Sequence, residues 1–275
     1  MKEIVELRIN NDFANLLFKE FEGKKKGTSV KVIEITKDDP RYQLIPLISD
    51  EVKRKYNKTF FYGWKITRKY SKKEIENADL LQLKIKSIFE PTGEECGTVF
   101  DESESCDFCG ANRIQISPLI LKSGTIPKKD IAKTIGGEVI VSERFLNAVK
   151  RRNFRGLKLS QTNLKKCYQL NTDAQIELTI NTVSGINVFD LSSSNEGEIY
   201  KCPKGHTIGL NLISEAYVLK NELIANNDFL KSKQKIGVKR GLLRPEPIYF
   251  CSQAFRLMVE EEKLSGFEFE VAQIN

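Results

Sequence analysis

The chain has 275 residues, 40% hydrophobic and 29% charged, with 17 Gly and 8 Pro. That composition excludes disordered, collagenous and coiled-coil classes, and the length allows one large or two small domains. Forty-four Lys and Arg against 37 Asp and Glu leave a formal charge of +7, which permits an acidic partner without demanding one.

No apolar run approaches the roughly 18 residues of a membrane span. Residues 1–7 mix charged and apolar types and read as a strand, not a secretory leader, so the expectation is a cytoplasmic protein with no membrane partner.

Residues 3–9 and 29–36 alternate like strands, with the Gly23 to Gly27 stretch as the turn before the second. Leu47, Ile48 and Val52 space a short helix that starts near Pro46 and is closed by Asn57. Phe60 to Ile66 is a dense aromatic strand containing Tyr62 and Trp64. Ser71 and Glu74 form a capping box for a short helix ending near Ala78, and residues 80–89 alternate again. These elements predict an α+β fold with an N-terminal region over 1–90.

The cysteines come next. Cys106-Asp107-Phe108-Cys109-Gly110 is a C-x-x-C-G knuckle, in which two thiolates on a tight turn can grip one metal ion while the Gly permits the turn. Cys96-Gly97 repeats the ending, with Gly93 where a full knuckle would carry its first Cys. Three thiolates leave a tetrahedral zinc ion one ligand short, and the stretch Cys202-Pro203-Lys204-Gly205-His206 offers Cys202 or His206. Four protein ligands leave no open position, so the expected Zn2+ is structural. A redox role for Cys106 and Cys109 would want a helix directly after the first Cys, whereas turn and strand follow. Cys167 and Cys251 stand singly and read as core residues.

Residues 139–159 align without a gap to 249–269, with Ser142/Ser252, Phe145/Phe255, Val149/Val259 and Gly156/Gly266 identical. Each stretch reads as strand, Ser N-cap, helix, Gly turn and strand. The expected architecture is therefore mixed strands and helices with two similar strand-helix-strand modules and a zinc knuckle. The modules are placed at 91–165, with the knuckle, and 166–275, with the C-P-x-G-H segment.

Charge differs between the two. Lys150, Arg151 and Arg152 align with Glu260, Glu261 and Glu262, which lets the helices attract one another or offers surfaces of opposite sign. Residues 231–244 hold Lys231, Lys233, Lys235, Lys239, Arg240 and Arg244 with no acid and no aromatic. A nucleic-acid strand wants stacking platforms as well as charge.

Catalytic patterns are missing. There is no Gly-rich phosphate loop, H-E-x-x-H or G-x-S-x-G, and the only His lies in the metal segment. Asp101, Glu102 and Glu104 fit a solvated loop.

The C-x-x-C-G knuckle, the Val141-Ser142-Glu143-Arg144-Phe145 segment with Gly156 and the second such unit at the C-terminus resemble the immunity proteins of bacterial polymorphic-toxin systems, in particular the double-CxxCG type. The resemblance covers residues 96–159 and 202–269, with Gly93 and the C-P-x-G-H segment departing from its pattern. It implies a non-catalytic cytoplasmic protein that binds a toxin domain and blocks it. For such a partner-binding protein the exposed helices or the aromatic N-terminal region supply the interface, with Tyr62, Trp64, Arg151 and Arg152 as candidate partner-binding residues. The competing expectation is a zinc-ribbon nucleic-acid binder of a defence or mobile-element system, acting through Lys235, Lys239 and Arg240.

Overall fold

In a computed structural model, which describes residues 1–189 and 199–275, the chain divides into two compact units. The first comprises residues 1–74 and 187–189, the second 75–186 and 190–275.

The first unit is built on an antiparallel sheet in the order β2-β3-β1-β4, from β1 (Lys2–Asn10), β2 (Lys24–Lys26), β3 (Val30–Thr36) and β4 (Phe61–Lys69). Alternation places Val5, Leu7 and Ile9 on the buried face, opposite Ile33, Ile35 and Ile66. Helix α1 (Leu44–Tyr56) ends as the sequence predicts, with Asn57 left-handed at φ 51° and its N–H bonded to the Lys53 carbonyl. Tyr42 donates to the Val188 carbonyl at 3.0 Å and packs on Phe189, which ties 187–189 to this unit. The capping box is present: Ser71 Oγ accepts from Glu74 N–H and Glu74 Oε2 accepts from Ser71 N–H, opening α2 (Lys72–Glu76).

The second unit holds two larger sheets. One has the order β11-β12-β10-β9-β6, from β6 (Ile88–Phe89), β9 (Ile131–Thr134), β10 (Val139–Ser142), β11 (Lys158–Gln161) and β12 (Cys167–Asn171). The other has the order β13-β17-β18-β5-β19-β16, from β5 (Leu80–Ile85), β13 (Gln175–Ile176), β16 (Ala216–Val218), β17 (Phe229–Ile236), β18 (Glu246–Cys251) and β19 (Phe267–Ile274). Two hairpin ladders, β7 (Phe100–Asp101) with β8 (Ile114–Gln115) and β14 (Ser184–Gly185) with β15 (Asn211–Leu212), stand apart from them. Helices α3 (Glu143–Lys150) and α5 (Gln253–Glu261) share one core with both sheets, centred on Phe145, Phe229, Phe255 and Met258, while α4 (Glu222–Asn226) is a short turn. The fold is α+β.

The expected boundary at residue 90 is corrected. Strand β5 belongs to the second unit, where it runs between β18 and β19. Leu80, Leu81 and Leu83 are buried along with Gln82, because a central strand is covered on both faces. The chain then leaves that sheet, and β6 joins the edge of the other beside β9. The next pair reverses the exchange: β12 lies between β10 and β11, and β13 crosses to pair with β17.

The predicted strand-helix-strand segments make matching hydrogen bonds. Ser142 Oγ caps α3 by accepting from Phe145 N–H, and Ser252 Oγ caps α5 by accepting from Phe255 N–H, both at 3.2 Å. Each capping hydroxyl donates at 2.8 Å to a carboxylate, Asp130 for Ser142 and Asp228 for Ser252. Those carboxylates reach across to the other segment: Asp130 accepts from the Ser265 N–H at 2.8 Å, and Asp228 from the Arg155 N–H at 3.0 Å. Gly156 and Gly266 follow, at φ +85° and +97°. A Cβ at Gly156 would strike the Phe229 carbonyl oxygen, and one at Gly266 the Ile131 carbonyl oxygen, so both backbones approach too closely for any side chain.

Candidate metal centre

Each half of the second unit supplies one tight turn to a common point. In the first turn the Gly110 N–H bonds to the Cys106 carbonyl and the Cys106 N–H to the Ala111 carbonyl, with Gly110 at φ +64°. In the second the Gly205 N–H bonds to the Cys202 carbonyl and the Cys202 N–H to the Thr207 carbonyl, with Gly205 at φ +77°. Thr207 Oγ1 also accepts from the Cys202 N–H and donates to the Tyr200 carbonyl, and the Lys235 N–H bonds to the His206 carbonyl. The last of these bonds fixes the second turn against β17.

The ligand atoms of Cys106, Cys109, Cys202 and His206 lie within 4.8 Å of one another. Cys106 Sγ stands 3.8 Å from Cys202 Sγ, and His206 Nδ1 stands 3.7 Å from both Cys109 Sγ and Cys202 Sγ. A tetrahedral ion with bonds of about 2.3 Å to sulfur and about 2.0 Å to nitrogen separates its ligands by about 3.8 Å and 3.5 Å respectively, so these three separations are compatible with such an ion. The three sulfurs are buried and the imidazole is partly exposed.

Charge points the same way. A hydrogen bond from the Cys109 N–H holds the Cys106 thiol down at about 6, against the opposing pull of burial. Burial pushes the Cys109 thiol up to about 12. The thiolate is therefore favoured at Cys106 and disfavoured at Cys109, unless a cation compensates the second charge. Asn112 Nδ2 stands 3.4 Å from His206 Nε2; with a metal on Nδ1 the ring proton would sit on Nε2, and the Asn112 amide would have to turn over to accept it.

Two sequence expectations need correction. Cys202 and His206 are not alternatives, because the cluster contains both, and Cys96 is outside it. The turn bearing Cys96 is anchored elsewhere: Thr98 Oγ1 accepts from the Ile120 N–H, and a Cβ on Gly93 would lie 2.5 Å from Leu119 Cδ1. That crowding also explains why Gly stands at 93. Cys167 and Cys251 are buried core residues, as expected.

The remaining candidates are dispersed. In the first unit Tyr62 is half exposed and Trp64 lies opposite Leu7. In the second, Arg151 pairs with Glu262 at 2.8 Å and Arg152 with Glu261 at 2.6 Å, the helix-to-helix attraction the charges allow. The basic stretch is divided. Lys233 pairs with Glu177, Arg244 is largely buried on Glu94, Lys235 is partly buried, and exposed Lys239 lays its aliphatic stem over Gly110. Arg240 occupies a tight turn with Leu243.

Residue patterning did not single out Arg113, which stacks on Phe100 at 3.9 Å and shares Glu94 with Arg244, nor the buried Glu138. Comparison with protein-family models, curated proteins and solved structures finds no match. Among the described residues no helix is long and apolar enough to cross a membrane.

Proposed function

We propose that the chain is a non-catalytic, partner-binding protein of the immunity or inhibitor kind, whose second unit is an internal duplication stapled by one structural zinc ion. The observation that carries the zinc assignment is the closed set of Cys106, Cys109, Cys202 and His206 at tetrahedral spacing, two ligands from each half. Soft thiolates with one imidazole select zinc among abundant divalent ions, and a full protein shell leaves no position for substrate. The matching caps, carboxylates and glycines of the two halves support the duplication.

Partner binding rests on the resemblance to double-CxxCG immunity proteins and on the lack of a recognisable catalytic constellation in the sequence. Under this reading the target is a bacterial toxin domain, and Tyr62, Trp64, Arg151 and Arg152 contribute to its interface. Affinity capture of the tagged protein from its native lysate, with and without nuclease, tests it. The expected result is one stoichiometric protein that survives nuclease and high salt, and is captured less by Trp64→Ala. Capture of no protein, or of nucleic acid alone, contradicts it. Nucleic-acid binding through Lys235, Lys239 and Arg240 is the alternative, favoured by the absence of acidic partners for Lys235 and Lys239 among the described residues, and it predicts affinity that falls steeply with salt.

A further inference from the structure

The second unit contains two matching clefts of unlike charge. Strand register equates Gln82 with Gln169, opposite Phe250 and Ile140, and Lys84 with Asn171, opposite Glu268 and Lys158. It likewise equates Lys133 with Lys231, each paired in parallel with an edge strand. In the first cleft, of about 300 Å³, both lysines are neutralised: Lys84 donates to Glu270 at 2.8 Å and Lys133 to Glu246.

In the second cleft, of about 340 Å³, Asn171 stands where the first has Lys84. Among the described residues Lys231 meets only Asn171 Oδ1, at 3.1 Å, and the nearby Asp173 is itself paired with Lys158. Lys235, on the same wall, has no acidic partner among the described residues. Arg113 and Arg244 opposite are balanced by Glu94 and Glu102.

Two buried atoms of this second cleft also lack partners. Arg244 Nε has no acceptor, and Glu138 Oε1 has no donor, its nearest cation being Arg113 at 3.9 Å. Buried polar atoms are rarely left so, and an unmet carboxylate oxygen beside unmatched ammonium groups calls for a ligand with both an anion and a donor. Acetate brings only the anion, and inorganic phosphate carries its P–OH donor on the anion itself, with no second group to reach a separate acceptor. A nucleotide brings phosphate together with ribose hydroxyls and base N–H groups, and the cleft is of small-ligand size. Its rim carries the amides of Asn112 and Gln175, which suit base edges, beside Gln115 and Gln169, whose amides bond to each other.

We propose that this cleft binds a nucleotide, free or as one unit of a single strand, with phosphate on Lys231 and Lys235 and a hydroxyl or amino group on Glu138. The inference rests on the cleft alone and is independent of protein binding.

Calorimetric titration of the full-length protein at low salt, with AMP, ATP, a short single-stranded RNA, inorganic phosphate and polyglutamate, tests it. The expected result is binding of a free nucleotide or of the RNA, and which of the two binds more tightly identifies the source. The double variant Lys231→Gln/Lys235→Gln should weaken that binding roughly tenfold or more, Lys231→Arg should retain it, and Lys84→Gln in the other cleft should leave it unchanged. Glu138→Gln should weaken nucleotide more than inorganic phosphate. No binding of AMP, ATP or RNA at millimolar concentration overturns the proposal, as does unchanged affinity in a folded double variant or polyglutamate binding as tightly as RNA. Protein capture by the same double variant separates this failure from failure of the immunity reading.

Discussion

Residues 80–161 and 167–274 run through the same order of sheet strands, knuckle and capped helix, yet diverge at two places. Where the backbone must be satisfied they agree: Ser142 and Ser252 cap the helices, Asp130 and Asp228 hold the caps, and Gly156 and Gly266 admit a neighbouring carbonyl. At the candidate sites they differ, with Cys106 and Cys109 on one knuckle and Cys202 and His206 on the other, and with neutralised lysines in one cleft against lysines lacking an acidic partner among the described residues in the other. Scaffold positions are constrained by sterics and hydrogen bonding that both halves share, whereas site chemistry is free to change.

The metal provides the sharpest way to break that likeness. Removing zinc, or replacing Cys106 or Cys202 with Ser, should lower the melting temperature by about 10 °C or more, and equally for either knuckle. A loss confined to one knuckle would show that the halves do not share the ion. Cys96→Ser should shift stability by no more than about 0.5 kcal/mol, as befits a thiol outside the cluster.

Gly156→Ala and Gly266→Ala come next. Each places a side chain at positive φ against a carbonyl oxygen, and each should cost about 3 kcal/mol in denaturant unfolding. Unequal costs would mark one crossing as the looser.

The two capping carboxylates should differ more gently. Asp130 accepts from Ser142, from Ser265 N–H and Oγ, and pairs with Arg144, whereas Asp228 accepts, among the described residues, from Ser252 and Arg155. Asp130→Asn should therefore cost about 2 kcal/mol and Asp228→Asn about 1 kcal/mol at neutral pH. Burial works against ionisation of Asp130, but its hydrogen bonds from Ser265 and Ser142 outweigh it and hold the carboxyl below its ordinary value. A depressed native pKa means stability that is present above the unfolded value of about 4 and lost as pH falls through the native one. The gap between wild type and Asp130→Asn should accordingly narrow below about pH 4, and a gap constant down to pH 2 would remove the charge from the account.

Local chemistry made much of this legible. Asn57, the Ser71–Glu74 box and the Ser142 and Ser252 caps follow from residues within four positions, and all stand as the sequence predicts. Cys106, Cys109 and Cys202 were also readable, because knuckle spacing is local. Cys96 misled for the same reason: its Cys-Gly ending looks like a knuckle, and only the packing of Gly93 on Leu119 turns it away.

The longer likeness was hidden by changing offsets. Corresponding residues are 110 apart at Ser142/Ser252, 98 apart at Asp130/Asp228 and 87 apart at Gln82/Gln169, so a gapless alignment reaches only the strand-helix-strand segments. Exchange of β5 and β12 between sheets leaves no mark on either strand's own pattern. The basic cleft was half legible: Lys231 and Arg244 belong to the basic stretch, whereas Arg113 and Glu138 reach the cleft from loops distant in sequence.

X-ray absorption at the zinc edge of the purified, zinc-loaded protein tests the central claim most directly. One ion per chain, with about three sulfurs near 2.3 Å and one nitrogen near 2.0 Å, is the predicted shell, and His206→Ala should remove the nitrogen. A shell of four sulfurs, which would bring Cys96 back, or one dominated by oxygen would contradict an ion held by two ligands from each half.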